Sequence, residues 1–163
     1  MTQSMRLFLA GDVMLGRGID QILPHPGDPA LYEGYMTSAV DYVRLAERSC
    51  GPIPRGVPFE YVWGDLLASL EQRACDIRLI NLETAITAAD RPWPKGINYR
   101  MHPANTPVLT AAGIDACILA NNHVVDWGRA GLVETLEALA DAGIAAAGAG
   151  RAAGEARAPR ALD

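Results

Sequence analysis

The sequence predicts an α/β protein with a mostly parallel sheet covered by helices on both faces. Three observations predict it. Apolar runs alternate with helix-like patterns along the chain. The apolar runs lack the period-two alternation of a half-exposed strand. Three of them stop abruptly at polar clusters. Half of the 163 residues are hydrophobic and a fifth are charged, a composition that supports a folded core in a single domain spanning 1–163.

The first strand is expected at Met5–Ala10 (MRLFLA), ending at Gly11-Asp12. Leu31–Ser49 has helical spacing in its second half, where Val40, Val43, Leu45 and Ala46 recur. Gly51–Tyr61 carries three prolines and two glycines and reads as a loop. Asp65 stands at an N-cap position before a helix whose Leu66, Leu67 and Leu70 share one face. Cys75–Glu83 reads as the second strand, and Thr87–Asn105 as a long loop with a short extended piece at Asn98–Met101. Pro107 and Gly113 frame a short helix, followed by a third strand in Ile114–Ala120. The clearest helix is Gly128–Gly143, with an apolar stripe of Leu132, Val133, Leu136, Leu139 and Ala140 and Gly143 as its C-cap. Ile144–Gly150 reads as a fourth short strand. Residues 152–163 read as the start of a truncated αβ unit, interrupted at Pro159.

A formal charge of −5 argues against broad electrostatic binding to nucleic acid or an anionic membrane. The three cysteines, Cys50, Cys75 and Cys117, include no CxxC pair, so neither a zinc cage nor a disulfide framework is expected. Cys117, inside an apolar run, reads as a small buried residue. The apolar stretch near the start is too short for a signal peptide, and no run approaches the ~18 apolar residues of a membrane span. The expectation is a soluble, cytoplasmic chain.

The polar clusters are where chemistry is expected. The first strand ends in Gly11-Asp12, the second in Asn81-Leu82-Glu83 and the third in Asn121-Asn122-His123. In an open parallel sheet, ligands bind beyond the carboxyl ends of the strands, which would gather these groups on one edge. Two carboxylates, amides and an imidazole suit a divalent metal, or acid–base work. Taken singly, each has a plainer reading: Asp12 as a turn or cap residue, Glu83 as a solvated loop residue, Asn121 and Asn122 as turn formers, His123 as a hydrogen-bonded structural histidine. Their repetition at three strand ends favours a site. Asp126 either caps the following helix or orients His123.

The stretches LAGDVMLGRG, LINLETAIT, KGINYRMHPAN, AGIDACILANNHVVDWGRAGLVETLEALADAGI and GAGR resemble, in order and spacing, the motifs of the CapA capsule-synthesis family. This is the poly-γ-glutamate synthesis accessory family, and the likeness runs from about Met5 to Arg151. The family resembles calcineurin-like metallophosphoesterases, a layered two-sheet α/β sandwich with its site at strand ends. The resemblance implies Asp12, Glu83 and Asn122 as ligands of a divalent metal (Mn, Mg or Zn) and His123 as the catalytic histidine. For a polyanion the local candidates are Arg17, on the loop after Asp12, and Arg100, in the loop after Glu83, expected with Asn121 to bind substrate; Lys95 and Arg129 read equally as ordinary surface or paired cations. The partner is then polyanionic poly-γ-glutamate or a small phosphorylated substrate, together with capsule-synthesis complex proteins. Nucleic acid is not an expected partner.

The sequence departs from the phosphoesterase pattern at several points. Met14 stands where those enzymes carry the histidine of Asp-x-His, and a thioether is a poor ligand for a hard cation. Only His25, His102 and His123 are present, and the first two sit in proline-flanked loops that suggest structural or surface roles. The family continues past the end of this chain, so half a metal site and only the N-terminal part of the sandwich are expected. The missing second sheet would leave an apolar face open to self-association into homo-oligomers. The expected function is therefore an accessory role in capsule or poly-γ-glutamate synthesis with a vestigial metal site. The alternatives are an active metal-dependent phosphoesterase or γ-glutamyl hydrolase/transferase, and a nucleotide-binding domain resting on the G-x-G-x-x-A match at Gly148–Ala153. Alanine and glycine are abundant enough for a chance match, and no nucleotide cofactor is expected.

Overall fold

The computed structural model describes residues 4–162. Strand β1 (Leu7–Val13) opens the chain, followed by a hairpin of β2 (Ala30–Glu33) and β3 (Met36–Ser38) and by helix α1 (Ala39–Cys50). Helix α2 (Leu66–Arg73) leads into β4 (Ile77–Leu82), then the two short strands β5 (Ala85–Ile86) and β6 (Arg100–Met101). Helix α3 (Pro107–Ala111), β7 (Ala116–Ile118), α4 (Gly128–Asp141), β8 (Ala145–Ala147) and α5 (Ala153–Arg157) complete the order.

The central sheet runs β1-β4-β7-β8 with every neighbouring pair parallel. Each connection moves the chain one place in the same direction. Right-handed crossovers that always step the same way put their helices on the same face. The packing follows: Ala10, Ile80, Cys117 and Ala146 are paired across the four strands and line one face. On that face Ile80, Leu82 and Cys117 join Val43 of α1, Val108 and Leu109 of α3 and Leu139 of α4 in one core, with Leu67 of α2 packed against it. The other face starts from Leu7 and Leu9, which are 53% and 65% exposed, with Leu79 beside Leu9 only half-buried. The α/β class and the parallel sheet are as the sequence predicts. The expected cover on both faces is dense on one, while the β1 end of the other is open.

The second half of Leu31–Ser49 is helical from Ala39, as its spacing predicts, while its first part, for which no element is expected, forms the β2–β3 hairpin. Asp65 precedes α2 as expected but makes no side-chain cap bond. Helix α5 (Ala153–Arg157) stops ahead of Pro159, where the sequence places the interruption, and no further helix or strand follows among the described residues. No helix among the described residues is long and apolar enough to cross a membrane.

One irregularity aims the first strand at the site. Ala10 pairs with Ile80 but Val13 with Leu82, so β1 holds one more residue than β4 over that interval. Such a bulge bends the strand and re-aims a side chain. Asp12 lies within it with φ 54°, a left-handed backbone to which aspartate is better suited than most residues.

The two sheet faces should respond differently to substitution. Ile80→Ala should cost ~2–5 kcal/mol in urea unfolding, whereas Leu9→Ser should change stability by no more than ~0.5 kcal/mol. Cys117 gives an independent check on the core. Burial pushes its thiol pKa up to about 12, so at neutral pH it should resist alkylation until the protein unfolds, while exposed Cys50 reacts in the native state.

Candidate functional site

At the carboxyl edge of the sheet, Asn81 near the end of β4 acts as a connector. Its Nδ2 donates to Asp12 Oδ1 at 2.9 Å and to Glu83 Oε2 at 2.7 Å. Its Oδ1 accepts from Asn121 Nδ2 at 3.0 Å. Asn121 also donates to the Leu82 carbonyl at 2.8 Å and accepts the His123 N–H through Oδ1 at 3.0 Å. The loop after β7 is thus tied to β4 by side-chain amides, and His123 is turned inward until its Nε2 lies 4.0 Å from Glu83 Oε1. The structure brings Asp12, Glu83, Asn121 and His123 together, joined by Asn81. It does not bring in the Asn122 side chain, which is exposed; Asn122 contributes its carbonyl, which accepts from Lys95 Nζ at 2.6 Å.

His123 is held on its other edge by Asp126. Nδ1 lies 2.6 Å from Asp126 Oδ2, and Lys95 Nζ lies 3.3 Å from the same nitrogen. An ammonium only donates and a carboxylate only accepts, so Nδ1 cannot satisfy both. The shorter contact assigns the proton: Nδ1–H donates to Asp126, which leaves Nε2 as the working nitrogen on the Glu83 side. Lys95 instead meets Asp126 Oδ1 at 2.5 Å, an ion contact off the hydrogen-bond axis. Oδ2 also accepts the Tyr99 N–H at 2.7 Å. Asp126 therefore orients His123 and does not cap α4, whose N-cap position, Trp127, makes no side-chain cap bond. Tyr99 stacks on the imidazole with centroids 4.0 Å apart and an interplanar angle of 21°. Nothing in the sequence marks Tyr99 for this role, because it comes from the long loop before β6.

The cations expected to bind substrate are already paired. Arg17 Nη2 lies 2.6 Å from Glu33 Oε1, with the Glu33 side chain wholly buried. Arg100 pairs with Asp28 at 3.0 Å, donates to the Ala89 carbonyl at 2.8 Å and lies over the Trp127 ring. Lys95 is taken by Asp126, and exposed Arg129 donates to the Arg151 carbonyl. Among the described residues, neither Asp12 nor Glu83 has a Lys or Arg within salt-bridge distance, and only the His123 ring approaches Glu83, so the charge at the edge is negative. His102 caps a short turn by accepting the Ala104 N–H, and His25 is exposed and held through its backbone by Asn105. Gly148–Ala153 follows the edge strand β8, and the Arg151 N–H there is taken by the Glu155 carboxylate, not left open for a phosphate.

The donors as arranged do not fit a two-metal centre. Among the described residues, no three His, Cys, Asp or Glu side chains are placed to hold one ion. The Asn81 amide fills the interval between Asp12 and Glu83 with a donor where a cation would need acceptors. The Met14 sulfur accepts the Gly16 N–H at 3.2 Å, a local turn contact.

A family model described as bacterial capsule synthesis protein PGA_cap matches residues 6–163. In two strains of Mycobacterium tuberculosis, proteins named "probable polyglutamine synthesis accessory protein" are 57% identical over 148 residues, which is 88% of this chain and 38% of theirs. An uncharacterized protein of Sinorhizobium fredii is 34% identical over 97 residues, covering 56% of this chain and 21% of its own. The chain spans well under half the length of the curated relatives it matches.

Removing the shared carboxylate should be costly. Asp126→Ala leaves Lys95, the imidazole N–H and the Tyr99 N–H without their partner and should lower stability by ~3–5 kcal/mol in denaturant unfolding. A loss below ~1 kcal/mol would contradict the role given to this residue.

Proposed function

The chain belongs to the bacterial capsule synthesis protein PGA_cap family, and from that premise we propose that it serves capsule or poly-γ-glutamate synthesis as an accessory component. In this reading the strand-end cluster binds and does not hydrolyse. The observation that carries it is the Asn81 amide donating to one oxygen of Asp12 and one of Glu83, which sets a hydrogen-bond donor between the two carboxylates. The names of the M. tuberculosis relatives support the accessory role. Paired cations and a net charge of −5 argue against electrostatic capture of a polyanion at this edge. The better-supported partner is a protein of the synthesis system, with polymer contact made within that assembly.

One observation favours a second reading, a metal-dependent phosphoesterase or γ-glutamyl hydrolase/transferase. His123, with Nδ1 on a buried aspartate and Nε2 on the site side, has the geometry of an acid–base group. Donors for a metal centre would then have to come from residues outside this stretch of chain, or from rotation of the Asn81 amide.

Titration calorimetry with Mn²⁺ and Zn²⁺, with Glu83→Ala as control, separates the two readings. The accessory reading predicts no stoichiometric uptake by this chain. Uptake of one or two ions that Glu83→Ala abolishes would overturn it. The enzyme reading further predicts that Asp12→Ala and His123→Ala abolish metal-dependent turnover while leaving the fold intact.

A further inference from the structure

We propose that Arg17 is a positioning residue that holds the plane of the His123 ring through Tyr99, and not a ligand for an anionic substrate. The Arg17 Cζ lies 4.6 Å from the Tyr99 ring centroid and 5.0 Å from that of Tyr42. His123 stacks on Tyr99 at 4.0 Å. Both groups pack against the same ring, and the proposal sets them on its opposite faces, with Tyr99 between Arg17 and His123. The side chains form a column in the order Tyr42, Arg17, Tyr99, His123. A guanidinium between two phenol rings gains from both ring quadrupoles, and gains most where water is excluded.

The column is pinned at Arg17. Its Nε and Nη2 lie 2.7 and 2.6 Å from Glu33 Oε1, and the other Glu33 oxygen accepts the Tyr42 hydroxyl at 2.5 Å. The Glu33 side chain is inaccessible to solvent. Burial, with the Glu33 hydrogen bond next, raises the Tyr42 pKa well above its ordinary value, so the phenol stays a donor throughout the physiological range. Arg17 also has a left-handed backbone, φ 50°, which a long side chain adopts only where its surroundings dictate it. A cation held this way on a buried carboxylate is poorly placed to greet a solvent-borne anion.

Two constraints then act on the imidazole in different directions. The bond from Nδ1 to Asp126 fixes which edge of the ring points inward. That bond alone leaves the ring free to tilt about the Nδ1 direction. Stacking against Tyr99 removes the tilt, and Arg17 keeps Tyr99 from moving away on its other side. Asp126 serves both, since it also accepts the Tyr99 N–H. The β2–β3 hairpin and α1, which supply Glu33 and Tyr42, are thereby connected to a residue at the far end of β7. The functional meaning of this device rests on His123 being the working imidazole of the proposed site; the device itself does not.

The test is proton NMR of the His123 ring, assigned with a His123→Gln variant. Stacking under Tyr99 displaces the ring protons upfield, and Tyr99→Leu should remove that displacement. Arg17→Gln should remove most of it while leaving His25 and His102 unmoved, and Arg17→Lys, which keeps the cation without the planar fork, should restore part. Glu33→Gln serves as the second variant should Arg17→Gln not fold, with the same loss expected. A wild-type His123 shift in a folded Arg17→Gln or Glu33→Gln protein, with the shift lost in Tyr99→Leu, would overturn the proposal. The readout needs neither metal nor polymer, so a failure of the accessory reading leaves it unmoved.

Discussion

The Asp126 carboxylate is wholly buried and meets three donors at once: Lys95 Nζ, His123 Nδ1 and the Tyr99 N–H. The carbonyl of the same residue accepts from the Trp93 N–H at 2.7 Å and from Asn98 Nδ2 at 3.1 Å. A buried charge is tolerated only when such partners surround it, so the long loop that supplies four of these five donors must close over the strand-end loop. Neither loop has regular structure of its own to dictate that closure. The contact therefore organises the site: it sets the tautomer of His123, places the Tyr99 ring over it and brings Lys95 to the Asn122 carbonyl.

Beside this hub, the polar edge of the sheet behaves as one network. Amide side chains carry the connection from His123 through Asn121 and Asn81 to Asp12 and Glu83. Arg17, Lys95 and Arg100 are each paired with an acid, two of these acids fully buried. Such satisfaction rigidifies a site and specifies its geometry. It also sets the Asn81 amide between the two carboxylates and ties Arg17 and Lys95 to acids, which is the physical basis for the proposal that this edge binds and does not hydrolyse.

Much of this was legible in the sequence, for a definite reason. Apolar runs that stop at Gly11-Asp12, Asn81 to Glu83 and Asn121 to His123 mark parallel strands whose carboxyl ends share an edge, and the sheet pairs them side by side. The long amphipathic helix and the short helix after Pro107 follow from equally local signals. What was hidden depends on distant partners. Tyr99 and Glu33 meet His123 and Arg17 only through the tertiary fold, and no local pattern predicts a ring stack or a buried ion pair. The choice between Asn121 and Asn122 turns on loop geometry: the loop directs Asn121 inward and leaves Asn122 with only its carbonyl engaged. The one-sided core likewise follows from the strand order, which composition and periodicity do not encode.

The most direct test of the central claim is the tautomer of His123, read from long-range proton–nitrogen correlations of the neutral ring at alkaline pH. Asp126 acting as the hub predicts a proton on Nδ1 and a bare Nε2 directed toward Glu83. A proton on Nε2, with Nδ1 accepting from Lys95, would mean that Asp126 does not orient the ring and would contradict the account.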